Sequence, residues 1–179
     1  MSVLKDPQLV KLFFSIFSND VELIEDNIKK LENLYGLIDM STGYIPFDKT
    51  DYYEKEFGKD LVRKIVFFET LISPEEIVEV KLKAMSLEEK YTIDGKRRIN
   101  IDPGYLALSR VILTTGKDYT HRIYLNKGVY ADLTYIYKKG EGYISLPWTY
   151  PDYSTKEFKN IFIKAREILR SQLKAAKND

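Results

Sequence analysis

"DPGYLALSRVILTTG", residues 102–116, is the stretch on which the fold turns. Asp102 stands in a capping place and Pro103 suits the first helical position. Leu106, Ser109, Arg110 and Leu113 follow before Gly116, a pattern that predicts a short helix. A strand over 106–113 is the alternative, so the reading decides whether helix or more sheet comes after the strand at 97–102.

Upstream, "VKLFFSIF" (10–17) is a continuous apolar run of strand length, which suits a buried strand. Asn19 or Asp20 can cap a helix carrying Val21, Ile24, Ile28, Leu31 and Tyr35 at helical spacing, and Gly36 stops it. "LIDMSTGYIPF" (37–47) reads as a second strand, "DKTDYYEKEFG" (48–58) as a polar, aromatic loop and "LVRKIVFFETLI" (61–72) as a third strand. Ser73-Pro74-Glu75-Glu76 is a helix start with a capping box, and Ile77, Val80, Ala84 and Leu87 form the buried stripe behind it. "RRINID" (97–102) alternates as a fourth strand. The order βαββαβ is that of the ferredoxin-like unit, two helices over one face of an antiparallel sheet.

Downstream, strands at 120–125, 129–138 and 143–146 predict an antiparallel meander, followed by the loop "LPWTYPDY" (146–153). Ser154 with Glu157 opens a last helix, whose stripe is Phe158, Ile161, Phe162, Ala165, Ile168, Leu169 and Gln172. The expected class is α+β: a ferredoxin-like βαββαβ unit extended by a short helix, a three-stranded antiparallel meander and a C-terminal helix. At 179 residues and 44% apolar composition, one domain over 1–179 is expected.

The net charge of +1 hides an asymmetry. Residues 1–90 carry 12 Lys+Arg against 18 Asp+Glu, and residues 91–179 carry 16 against 9. The near-zero total favours two halves that dock on each other over a basic surface kept for an anionic partner. With no cysteine, disulfides, iron–sulfur clusters and thiolate zinc sites are excluded. The first apolar run is too short to span a membrane, so a soluble, cytoplasmic protein without membrane association is expected.

The only histidine lies in "GKDYTHRIYLNKGVYADLTY" (116–135). A hairpin turning at Asn126-Lys127-Gly128 places Arg122 opposite Asp132 and Tyr124 opposite Tyr130. Strand alternation then puts His121 on an apolar face with Ile123, Leu125, Val129, Ala131 and Leu133, which favours a packed histidine over a catalytic one. Arg122 and Asp132 form either a plain cross-strand ion pair or a guanidinium held ready for an anion.

The blocks "DKTDYYEKEFG", "INIDPGYLALSRVILTTGKDYTHRIYL", "VYADLTYIY" and "LPWTYPDY" resemble a prokaryotic family of about this length known as a domain of unknown function. The resemblance covers essentially the whole chain and brings no activity, although some members carry the label GTP-binding protein. It points to Thr50, Asp51, Tyr52 and Tyr53, to Asp102, Pro103, Gly104 and Tyr105, and to Lys117, His121, Arg122 and Thr134. It points further to Trp148, Thr149, Tyr150, Pro151, Asp152 and Tyr153, while Asp132 stands where relatives are expected to carry Glu.

No nucleotide-binding motif accompanies that label. In "VILTTGKD" Val111 occupies the place of the first glycine of a phosphate loop and Asp118 that of its metal-binding hydroxyl. "NKGV" lacks the Asp that reads guanine, and "GEGYIS" breaks the dinucleotide pattern. One histidine excludes double-histidine phosphoesterase chemistry, and no G-x-S-x-G elbow is present.

Carboxylate chemistry survives, with Asp51, Asp102 and Asp132 as candidate catalytic residues, able to hold Mg²⁺ if they converge. Tyr52, Tyr105, Lys117, Arg122 and Trp148 are the candidate ligand-binding residues, in one cleft with those carboxylates. The favoured partner is a phosphate-bearing or nucleotide-like small molecule. A non-catalytic module for RNA or a protein partner is the alternative, and a deep pocket rather than a flat basic surface separates the two.

Overall fold

The computed structural model describes residues 1, 3–47 and 53–176. The chain runs β1 (Val10–Ser18), α1 (Val21–Tyr35), β2 (Ile38–Ser41), β3 (Ile45–Pro46), α2 (Glu54–Phe57), β4 (Val62–Ile72) and α3 (Ile77–Glu89). It continues through β5 (Thr92–Ile93), β6 (Lys96–Arg97), β7 (Asn100–Ala107), β8 (Arg110–Thr115), β9 (Arg122–Asn126), β10 (Val129–Lys138), β11 (Gly142–Ser145) and α4 (Lys156–Ala175). The fold is α+β, built on one large antiparallel sheet of order β11-β10-β8-β7-β1-β4-β2. β3 adds to β4, β9 adds to β10, and β5 with β6 forms a separate hairpin.

β1 is buried along its whole length because its two faces enter different apolar layers. Val10, Leu12, Phe14 and Ile16 pack with α1 and α3, whereas Phe13 packs with Phe162, Ala165 and Leu169 of α4. α1 starts at Asp20, whose side chain accepts the Leu23 N–H, and ends at Gly36 in the left-handed region. The Ser73–Glu76 capping box forms, with one 3₁₀ turn ahead of α3. Lys11 is fully buried, and its ammonium bonds Asp39, the Phe68 carbonyl and Gln172 of α4.

Residues 102–116 are not helical. They form the second part of β7 and all of β8, with Gly104, Tyr105, Leu106 and Ala107 paired to Leu113, Ile112, Val111 and Arg110. Period-two alternation sends Leu106, Val111 and Leu113 into the α4 layer and Tyr105 to the opposite one. Pairing with β1 thus overrides the local capping signal of Asp102-Pro103. Gly104 has a packing role instead, since a Cβ there would overlap the Ile112 carbonyl and the Phe13 ring.

Other expectations shift in smaller ways. The strand expected over 37–47 is two short pieces, β2 and β3. β7 starts only at Asn100, because Asp94 and Gly95, both at positive φ, turn a hairpin that claims Lys96 and Arg97. α4 is capped by Thr155, not Ser154. In the hairpin Lys127 and Gly128 both have positive φ, so the loop has two residues and Val129 meets Asn126. A bulge after Val129 restores the expected Tyr124–Tyr130 and Arg122–Asp132 pairs.

The charged halves interlock. Arg97, Arg98 and Lys127 of the basic half pair with Glu56, Glu88, Asp20 and Glu79 of the acidic half. Among the described residues no helix is long and apolar enough to cross a membrane.

Candidate functional site

Between β7 and β8 the ladder stops at Gly104 and Leu113, and among the described residues the start of β7 has no strand partner on that side. Pro103 has no N–H to lose there. Side chains take over the ladder's work: Glu88 Oε1 accepts the Ile101 N–H at 2.5 Å, and the Thr114 hydroxyl donates to the Pro103 carbonyl at 2.7 Å. At this fork a cleft of about 820 Å³ opens.

Asp102 forms the floor. Ile101 points into the α1/α3 layer, so Asp102 turns to the other face, beside Ser15 of β1. Lys81 of α3 reaches it past the free edge of β7, with Nζ 3.0 Å from Oδ1, and the Asn100 amide donates to Oδ2 at 2.6 Å. Burial pushes the Asp102 carboxyl up, but Lys81, Asn100 and Arg63 together outweigh it and hold the group below the usual carboxylate range. The side chain is still 37% open to the cleft.

Glu88 stands beside it in the opposite state. Burial first, and the neighbouring Asp102 charge second, push its carboxyl up to about 7 against the pull of Lys81, the Ile101 amide and Arg97. Arg97 closes this side, bonding Glu56 through Nε and Nη2 and Asn100 through Nη1.

Arg122 and Asp132 form the opposite wall. Arg122 Nε lies 2.9 Å from Asp132 Oδ2, each side chain only 4% exposed. The guanidinium also donates to the Lys117 carbonyl and the Tyr150 hydroxyl, and it lies 4.4 Å from the Tyr119 ring centroid. Three hydrogen bonds and a ring fix its plane, and among the described residues part of its five-donor fork meets no acceptor. Trp148 is anchored through its indole N–H to the Leu133 carbonyl, and Thr149 bonds the Thr134 carbonyl, so β10 carries the 146–153 loop.

His121 departs from its expected place. It lies in the turn before β9, closed by the Arg122 N–H to Tyr119 carbonyl bond, so strand alternation does not apply to it. Its ring stacks on Trp148 at 5.0 Å and 14°, and Nε2 lies 3.3 Å from Asp132 Oδ2. The face expected to be apolar is partly open, with Ile123 67% exposed.

Of the candidate residues, Asp102, Lys117, Arg122, Asp132 and Trp148 line this one cleft. Tyr105 does not: as Leu12's partner it faces the α1/α3 layer. Asp51 and Tyr52 lie outside the described residues. Asp102 is no helix cap, because no helix follows it. Asp102 and Asp132 are each already bonded to a cation. Among the described residues no three carboxylate or histidine side chains gather as a metal site.

A family model described as "Domain of unknown function (DUF4416)" matches residues 8–169. The chain belongs to this family. The DUF4416 match runs from ahead of β1 into α4, so every described cleft residue falls inside it. Comparison with curated proteins and with solved structures returned no match.

Sequence reasoning missed Lys81, Glu88, Arg97, Asn100 and Arg63. A signal existed for two of them in this DUF4416 chain. Lys81 and Glu88 sit at the spacing of the buried stripe Ile77, Val80, Ala84 and Leu87, where charged residues are out of place. Arg63 is also buried. It pairs with Asp152, lies 4.1 Å from the Phe47 ring centroid, and its Nε has no hydrogen-bond acceptor among the described residues.

Proposed function

We propose that the protein binds, and acts on, a small phosphate-bearing or nucleotide-like molecule in the cleft at the β7/β8 fork. The observation that carries this reading is the convergence of Asp102, Lys117, Arg122, Asp132 and Trp148 on one cavity of about 820 Å³, in the size range of small-molecule sites. Trp148 and Tyr150 offer rings to a planar group, and Arg122, fixed by Asp132 and Tyr150, offers its remaining donors to an anionic oxygen. A concave cleft of this volume favours this over an RNA or protein module, which would use a flat basic surface. The strand order β7-β1-β4-β2 and the shared face of α1 and α3 support reading the first part of the chain as a ferredoxin-like unit that supplies one side of the cleft.

Thermal-shift and calorimetric titration with guanosine monophosphate, adenosine monophosphate and inorganic phosphate tests the proposal. A binding ligand at a hundred times its Kd stabilises the fold by about 2.7 kcal/mol. The expected result is a shift with a nucleotide that Trp148→Ala weakens. If none of the three probes moves the melting temperature, the reading falls.

A further inference from the structure

We propose that Asp102 and Glu88 are an acid–base pair on the floor of the cleft, Asp102 taking a proton from the bound molecule and Glu88 giving one to it. This rests on the small-molecule reading of the cleft and says what the cleft does.

The geometry separates two carboxylates into two roles. Asp102 is ionised beside the Lys81 ammonium, keeps open surface toward the cavity, and receives the Lys81 ammonium and the Asn100 amide as donors. Glu88 is almost fully enclosed, with Oε1 committed to the Ile101 N–H and Oε2 3.4 Å from Arg97 Nη1. Five groups face Glu88: Asp102 and the Ile101 amide from β7, Lys81 from its own helix, Arg97 from β6 and, behind Arg97, Glu56 of α2. Burial and Asp102 favour its neutral form, and its titration near 7 leaves a proton available at neutral pH. Neighbouring carboxyls pushed in opposite directions mark out a base and an acid.

A second feature of the same cavity calls for a ligand. Arg63 lines it, is more than nine-tenths buried, and has an Nε–H that no described acceptor meets. Buried donors rarely stay unmet, so an acceptor supplied by the bound molecule fits there. Arg63 is also near enough to help keep Asp102 ionised.

In the transfer one proton leaves an O–H or N–H of the bound molecule for an Asp102 oxygen. One passes from Glu88 to another heteroatom of the same molecule. No electrons change hands, and exchange with solvent resets the pair.

Carboxyl-detected NMR titration of the free wild-type protein, Glu88→Gln and Asp102→Asn is the first arm of the test. The second is calorimetry with guanosine monophosphate in buffers of different ionisation enthalpy. One glutamate should titrate near neutrality, vanish in Glu88→Gln, whose amide oxygen still accepts the Ile101 N–H, and move to lower pH in Asp102→Asn. Nucleotide binding to the wild type should carry linked proton exchange, because an anion seated beside Glu88 moves its titration, and Glu88→Gln should reduce that exchange. A Glu88 titrating in the ordinary carboxylate range, or indifferent to Asp102→Asn, overturns the pair, and so does proton exchange on binding that Glu88→Gln leaves unchanged. If the nucleotide fails to bind, the nucleotide reading falls, and the titration of the free protein still decides the pair.

Discussion

The Lys81 ammonium lies 3.0 Å from Asp102 Oδ1, although α3 covers one face of the sheet and Asp102 turns to the other. Only a strand with a bare edge allows that reach, and β7 is bare where β8 leaves it. The ion pair is thus a direct product of the fork.

Acid stability should depend on this contact. Asp102 has a lower pKa folded than unfolded, so its ionised form stabilises the fold above the unfolded value, and the gain is lost as pH falls through the folded value. Lys81→Met leaves burial unopposed by the ammonium and raises the folded value. Acid unfolding followed by circular dichroism should then begin at higher pH than in the wild type; an unmoved acid limb contradicts the assignment.

Glu88 should act with the opposite sign. Its carboxyl rises from 4.5 to about 7 on folding, so its contribution is complete below 4.5 and disappears as pH rises through about 7. The linkage is on the order of 3 kcal/mol. Melting temperatures of wild type and Glu88→Gln between those limits provide the check. The wild type should lose stability with rising pH relative to the variant, and parallel profiles would count against the raised value.

Asp132→Asn should be costly, because both partners of the Arg122 pair are buried. Leaving a buried guanidinium without its counter-charge costs about 3–5 kcal/mol, against less than about 1 for an exposed pair. Urea denaturation distinguishes the two, and a loss below about 1 kcal/mol would mean that the cleft wall is not held by this contact.

Gly104→Ala tests the close approach beside the fork. The added methyl would collide with the Ile112 carbonyl and the Phe13 ring, and overpacking of this kind costs roughly 1–3 kcal/mol. A variant as stable as wild type by thermal denaturation would show that β7 and β8 are looser than described.

GTP should not be held as a phosphate-loop protein holds it. Val111 and Asp118 stand where that loop needs a glycine and a hydroxyl. Calorimetry with GTP and Mg²⁺ should give no sub-micromolar, guanine-selective binding; such binding would sink this expectation.

The sequence displayed whatever depends on neighbours along the chain. Asp20 and the Ser73–Glu76 box announced helix starts, and the hairpin paired Arg122 with Asp132 despite a one-residue difference in its loop. Five candidates on separate segments share one cleft, Lys117 and Trp148 from loops and Asp102, Arg122 and Asp132 from strands. The fork was hidden. Asp-Pro-Gly carries the local signature of a helix start, and only β1, nearly ninety residues earlier, makes it a strand. Lys81 and Glu88 interrupt the stripe they share with Ala84 and Leu87, but periodicity shows only which face is inward and not that a cavity lies beneath it.

The central position of β1 has a consequence for synthesis. Phe14 meets Val66 on one side and Pro103 on the other, so the most apolar strand of the sheet leaves the ribosome long before either neighbour exists. Until then both its edges can pair with other chains. The aromatic loop at 146–153 does not relieve this, because it arrives later still. Newly made chains are therefore most prone to aggregate before residue 107 has emerged, and slowing translation ahead of that point lengthens the exposure.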